Sequence, residues 1–240
     1  MKVPSNLVKD IRKYYCELLC SLYEKDEANA MILILFKYYF NIDRVRMVLE
    51  PDLRLSESEM LKIHFAVKDL LRNKPIQYVT GETEFCDLKF KVNENVLIPR
   101  PETAEMISKI VNSQHSTVNN HCSIIDIGTG SGCIAISLAK MISNSNVYAL
   151  DISEEALKIA KENAFNNNVN VSFIHDDILN LKNNIETKFD IIVSNPPDVR
   201  ELEKAEMHNN VLKWEPHKAL FVSDNDPLIF YRSILEFAKT

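Results

Sequence analysis

Asp126-Ile127-Gly128-Thr129-Gly130-Ser131-Gly132 is the stretch from which the rest of the chain can be read, because it holds three of the four glycines in a 240-residue protein. An apolar run at 124–127 precedes it, and a pattern of helical period at 133–142 follows it. Strand, glycine turn and helix in that order start an α/β unit. Moving outward, 146–152 reads as a strand, 154–166 as a helix, 171–175 as a strand and 189–194 as another. These strands are continuous apolar runs, as expected when both faces of a parallel sheet are covered by helices. The expected fold class is therefore α/β, with ligands held at the carboxyl ends of the strands.

The glycine loop lets backbone approach a ligand where a Cβ would collide with it. A dinucleotide fingerprint requires GxGxxG, but Cys133 stands where the third glycine belongs, and no GK[ST] ending makes a phosphate loop. GxGxG after a first strand is instead similar to the loop of methyltransferases that bind S-adenosylmethionine. Asp151 ends the second strand, where a carboxylate can accept both ribose hydroxyls; its alternative role is a helix N-cap, which Ser153 can fill instead. Asp176 and Asp177 end the third strand, within reach of an adenine amino group, and chemistry alone does not choose between them. The fourth strand runs into Ser194-Asn195-Pro196-Pro197-Asp198. The two prolines turn carbonyl oxygens away from a strand ladder, so the Asn195 side-chain oxygen and the Pro196 carbonyl can each accept one hydrogen of a planar NH2 group. That geometry predicts catalysis mainly by positioning.

The first 75 residues contain no glycine and carry helical patterns at 8–23, 27–40 and 57–71, the third opened by a Ser56/Glu59 capping box. They read as a helical domain that either caps the next domain or docks a partner. Residues 76–100 alternate as a hairpin would, with Tyr78, Phe85, Leu88, Phe90, Val92 and Val96 as the apolar positions, and they connect the two domains. Two prolines then stop regular structure before a helix at 102–111. The expected organisation is 1–75, 76–100 and 101–240. Residues 1–75 hold 13 Lys+Arg against 11 Asp+Glu, and 76–240 hold 15 against 23. An acidic catalytic half disfavours a phosphate backbone as a stable partner, so no stable nucleic-acid complex is expected and a protein substrate is easier to accommodate. Residues 1–12 lack a signal-peptide layout, and the longest apolar run, 31–40, is broken by Lys37 and too short for a bilayer, which predicts a cytoplasmic protein without a membrane partner. Cys16, Cys20, Cys86, Cys122 and Cys133 have no paired spacing, so neither disulfides nor a metal site is expected. Cys16 and Cys20 share a helix face and read as core residues.

Together these motifs resemble the HemK/PrmC family, the protein-(glutamine-N5) methyltransferases. The likeness covers nearly the whole chain: the helical start, Gln77-Tyr78 with Gly81 and Phe85, the LIPRPxT pattern at 97–103, DIGTGSG, NPP, and Glu215-Pro216 with Ala219-Leu220-Phe221. The resemblance implies a Rossmann-like class I S-adenosylmethionine-dependent methyltransferase sheet behind a small substrate-docking helical domain. It implies S-adenosyl-L-methionine as cofactor and the glutamine of the release-factor GGQ loop as substrate. Carried onto this chain, Gly128, Thr129, Gly130, Ser131, Gly132, Asp151, Asp177, Ile178 and Asn195 would hold the cofactor. Asn195, Pro196, Pro197 and Asp198 would form the catalytic glutamine pocket, and Arg100 and Glu102 would shape its entrance. The chain departs from the family at Asp198, where the motif has tyrosine, at Ala104, where an acidic residue is usual, and at Asp87, where the hairpin often has glycine.

Beyond a helix at 226–238 the family sheet would continue through further strands, so the resemblance implies a truncated member with its fourth strand left as an edge. Two rival readings remain at this level. An exocyclic-amine methyltransferase acting on DNA or RNA bases would present the same planar NH2 to the NPP loop. A non-catalytic binding protein could keep the fold.

Overall fold

The computed structural model describes residues 5–114, 121–183 and 185–239, with nothing described for the Gln114 side chain. Met1 to Pro4, the start of the stretch read for a signal peptide, lie outside the described residues. The chain divides into two compact units, Met1–Thr80 and Gly81–Thr240.

In the first unit, α1 (Val8–Leu19), α2 (Lys25–Phe40), α3 (Arg44–Leu49), α4 (Glu57–Leu70) and α5 (Ile76–Thr80) surround a core of Ile11, Tyr15, Leu19, Ile32, Leu35, Phe36, Ile63 and Leu70. The expected capping box forms: the Ser56 hydroxyl accepts from the Glu59 amide and the Glu59 carboxylate accepts from the Ser56 amide. Three expectations are corrected. Helix α1 ends at Leu19 rather than Tyr23, since Cys20 caps it and Tyr23 turns away to donate its hydroxyl to the Leu70 carbonyl at 2.8 Å. Cys20 is thereby exposed, and only Cys16 packs against the core. Residues 76–80 are helical, because the one Pro75 carbonyl accepts both the Tyr78 and the Val79 amides.

The second unit begins with the antiparallel hairpin β1 (Glu82–Phe85) and β2 (Leu88–Lys91). Its two-residue turn puts Cys86 at φ 48° and Asp87 at φ 59°. Both central residues at positive φ match the twist of the strands, and aspartate bears this conformation better than most side chains. Helix α6 (Pro101–Gln114) follows, then β3 (Cys122–Ile127), α7 (Cys133–Met141), β4 (Ser145–Asp151), α8 (Glu154–Asn166), β5 (Ser172–His175) and β6 (Ile191–Ser194). These four strands form one parallel sheet in the order β5-β4-β3-β6. The order reverses between β3 and β6, so a crevice opens above their carboxyl ends. Among the described residues, no strand pairs with the outer side of β6.

Both faces of the sheet are apolar and covered. Ile124, Val147, Ala149 and Val193 meet Ile107 of α6 and Ile134, Ala135 and Leu138 of α7. Ile125, Ile127 and Leu150 meet Phe189, Ile234 and Phe237 on the other face, the last two from α10 (Ile229–Phe237). Between β6 and α10 lie β7 (Val199–Arg200), α9 (Asn209–Trp214) and β8 (Phe221–Val222), with β7 and β8 paired in parallel. No helix among the described residues is long and apolar enough to cross a membrane, and no group of three or more candidate metal ligands occurs among them.

Candidate functional site

The parallel register sets Ile127 beside Leu150 on one side and Ser194 on the other, and sets Asp151 beside His175. The four strand ends therefore open onto one rim. Above it lies a cavity of about 540 Å³, within the range of pockets that hold small-molecule cofactors. Its walls include Gly128 to Ser131, Asp151 to Ser153, Asp176 to Leu179, Ser194 to Pro197 and Glu94 to Arg100.

The glycine loop is folded back on its own sheet. The amides of Gly128 and Thr129 both donate to the Leu150 carbonyl, at 2.8 and 3.0 Å, and the Gly132 amide donates to the Thr129 carbonyl. The Gly130 amide donates to Asp151 Oδ2 at 2.8 Å. Those amides are thus spent within the protein, and Asp151 stands among them, an arrangement that suits a cationic ligand and not a phosphate. Gly128 and Gly130 sit at φ 75° and 54°, and a Cβ built on either would meet no atom within 4 Å, so both present bare backbone to open space. Gly132 serves a different end: its Cβ would lie 2.8 Å from Ile136 Cδ1 and 3.1 Å from Ala160 Cβ, so it permits the close packing of α7 on α8.

Asp151 is buried, and its Oδ1 accepts the Ser153 amide at 2.8 Å. Ser153 itself caps α8 through the Ala156 amide, leaving Asp151 for the cavity. A carboxylate has about four acceptor positions, so two amides leave room for a pair of ribose hydroxyls. Burial pushes the Asp151 carboxyl above its ordinary range, against the lowering effect of the Ser153 and Gly130 amides. Asp176 and Asp177 both line the cavity and differ in their hydrogen bonds. Asp176 accepts the amides of Asp177, Lys182 and Asn183 and the Asn183 side chain, which consumes it in shaping the following loop. Burial raises the Asp176 carboxyl, but those amides outweigh it and the net shift is downward. The Asp177 carboxylate accepts only the Leu179 amide among the described residues, and Asp177 lines the cavity together with Ile178.

Asn195, Pro196 and Pro197 line the same cavity as Gly130. The Ser194 hydroxyl donates to the Ile127 carbonyl at 2.6 Å, which ties this loop to the strand carrying the glycines. The Asn195 side chain has no hydrogen-bond partner among the described residues, so its amide is available to a ligand. Two expected site residues are not brought in. Asp198 is exposed and outside the cavity wall, because the chain turns after Pro197 into β7. Glu102 is exposed on the first turn of α6 and also lies outside the wall, whereas Arg100 forms part of it.

Comparison with known proteins places the chain in a family. Residues 118–235 match the model of a methyltransferase domain, and residues 11–81 match that of the PrmC N-terminal domain. The chain is 48% identical over 234 residues to the release factor glutamine methyltransferase of Flavobacterium psychrophilum, covering 97% of this chain and 81% of that protein. The chain belongs to the release factor glutamine methyltransferase family. The enzyme of that name from Bacteroides thetaiotaomicron is 42% identical over 229 residues, covering 95% of this chain and 81% of its own length.

For a release factor glutamine methyltransferase the cofactor is S-adenosyl-L-methionine, and the residues present fit it. The bare backbone at Gly128 and Gly130, the acidic Asp151 and the apolar strip of Ile152, Ile178 and Leu179 offer places for its methionine, ribose and adenine parts. Sequence reasoning left several contributors unassigned. Glu215, with its side chain 2% exposed, accepts from Arg100 at 2.7 Å and from the Ile98 amide at 3.3 Å, fastening 98–100 to the segment that follows Glu215. It had entered only as part of a resemblance. Asp126 lies fully buried beneath the loop, accepting the Thr129 hydroxyl at 2.6 Å and the Ala135 amide at 3.3 Å, while its other oxygen has no partner among the described residues. Burial pushes its carboxyl up to about 7. Phe230 and Ile234 of α10 complete an apolar wall whose position no local pattern reveals.

Proposed function

We propose that this protein transfers a methyl group from S-adenosyl-L-methionine to the side-chain amide nitrogen of the glutamine in the GGQ loop of a peptide chain release factor. The observation that carries the reading is that Asn195, Pro196 and Pro197 share one cavity with Gly128, Gly130 and Asp151. Bound in this cavity, the cofactor supplies a methyl group on positively charged sulfur. Asp151 orients the ribose, and Asp177 with Ile178 takes the adenine. The Asn195 oxygen and the Pro196 carbonyl each accept a hydrogen bond from the glutamine amide and hold its nitrogen in line for transfer, which leaves S-adenosylhomocysteine and releases one amide proton to solvent. Pro196 and Pro197 restrict the backbone that carries both acceptors, so the reaction gains mainly from orientation, an effect that reaches ~7–11 kcal/mol in well-aligned systems. Family membership adds the class of acceptor, which the pocket alone leaves open among planar amines.

Docking of the release factor is assigned to the helical unit. Helix α3 buries no side chain, leaving Val45, Val48 and Leu49 exposed, and Leu61 and Phe65 of α4 are exposed as well. The protein works in the cytoplasm, where release factors act. Labelled cofactor supplied together with a release factor and total nucleic acid tests the acceptor. Label in the release factor is expected, and label confined to nucleic acid overturns the assignment.

A further inference from the structure

Asn163 takes no part in the site described above, yet its side chain is wholly buried and uses every hydrogen-bonding atom it has. Its Oδ1 accepts the Lys91 amide at 2.7 Å. Its Nδ2 donates to the Lys91 carbonyl at 3.0 Å and to the Ser131 carbonyl at 2.9 Å. One amide on α8 thus clamps the last residue of β2 to the glycine loop. One turn earlier on the same helix, Ala160 meets Gly132 so closely that a Cβ there would lie 3.1 Å away. The loop and the hairpin are thus both tied to α8. From Lys91 the chain runs through buried Val92, Val96 and Ile98 into Pro99 and Arg100, which line the same cavity as the loop.

We propose that Asn163 is a positioning residue that couples the glycine loop to the β1–β2 hairpin and, through it, to the 94–100 wall of the cavity. It needs to be an amide. Lys91 presents both a donor and an acceptor, and Ser131 presents a second acceptor, so the side chain must accept once and donate twice. Aspartate keeps the shape but would set a carboxylate against two carbonyl oxygens. Filling the loop with a ligand fixes the Ser131 carbonyl, and Asn163 passes that order to Lys91. Coupling of this kind is reciprocal, so loosening the clamp must weaken the ligand.

The proposal rests on the cofactor reading of the loop, and hydrogen exchange with S-adenosylhomocysteine as the probe separates the two. In the wild-type protein, saturating probe is expected to slow exchange of the Lys91 amide about tenfold. Asn163→Asp is expected to abolish that slowing and to weaken the probe about tenfold by calorimetry. Asn167→Ala removes another hairpin tie, the 2.8 Å bond to the Lys89 carbonyl, together with a 2.9 Å bond to the Asn163 backbone carbonyl, and leaves the Asn163 side-chain bonds to Lys91 and Ser131 in place. It should loosen the hairpin and leave probe affinity within about twofold. Unchanged Lys91 exchange in the wild type overturns the coupling even if Asn163→Asp fails to fold. Equal losses of affinity in the two variants also overturn it, by reducing Asn163 to general support of the hairpin. Failure of the wild type to bind the probe at all overturns the cofactor reading, and the coupling falls with it.

Discussion

Removing Arg100 should cost this protein more than neutralising the Glu215 that holds it. The Glu215 side chain is 2% exposed and that of Arg100 35% exposed, with 2.7 Å between Nη2 and Oε1. Arg100→Ala leaves a buried carboxylate with one long bond from the Ile98 amide, at 3.3 Å. Breaking a buried pair in this way costs ~3–5 kcal/mol, and the partial exposure of Arg100 admits water and places this case near ~3 kcal/mol. Glu215→Gln keeps an oxygen for the Ile98 amide or Arg100 and loses only the charge-assisted part, ~1–2 kcal/mol. In the double variant no buried charge is stranded, so its cost should fall below the sum of the single changes by ~1–2 kcal/mol. Urea unfolding of the four proteins at constant m-value measures all three quantities. A Glu215→Gln loss equal to or above that of Arg100→Ala, or additivity within ~0.5 kcal/mol, would refute the reasoning.

Stability should also depend on pH through Asp126. Its carboxyl is held at about 7 in the folded state, so between the ordinary carboxylate value of ~3.9 and about 7 the folded protein binds a proton that the unfolded chain has lost. Raising the pH through that window lowers the melting temperature. Asp126→Asn should flatten the slope, though the upward shift at Asp151 acts in the same direction and keeps some of it. Asp176, shifted down, adds stability that is lost only as the pH falls below the usual carboxylate range. Gly130→Ala should cost ~1–2 kcal/mol for its left-handed backbone and weaken S-adenosylhomocysteine at least tenfold by calorimetry, since the methyl group enters the cavity. Gly132→Ala should instead lower the melting temperature most, because its methyl group meets Ile136 and Ala160. Asn195→Ala should reduce methyl transfer ~100-fold or more while S-adenosylhomocysteine affinity stays within a few-fold, as expected for a group that positions the acceptor.

The sheet was legible because its signals are local and agree with one another. Each buried strand is a run of apolar residues, Ser153 and the glycines mark where the helices begin, and the 154–166 helix matches the structure at both ends. Helices α3 and α5 escaped notice because six and five residues are too few to show a period. Within the site, the glycine loop, Asp151 and the Asn195 loop could be read because each ends a recognisable strand. Glu215 could not be read as a partner of Arg100, since 115 residues separate them and only the folded chain joins them. Asn163 looks like one more polar residue of an amphipathic helix until its three backbone partners appear. Asp198 enters the expectation only through its place in the NPP motif, and the structure leaves it exposed, outside the cavity wall.

Mass spectrometry of the GGQ peptide from a release factor incubated with this protein and S-adenosylmethionine tests the central claim most directly. The account predicts one added methyl group on the glutamine side chain, lost in Asn195→Ala. An unmodified glutamine under conditions where the wild-type protein is saturated with cofactor would contradict it.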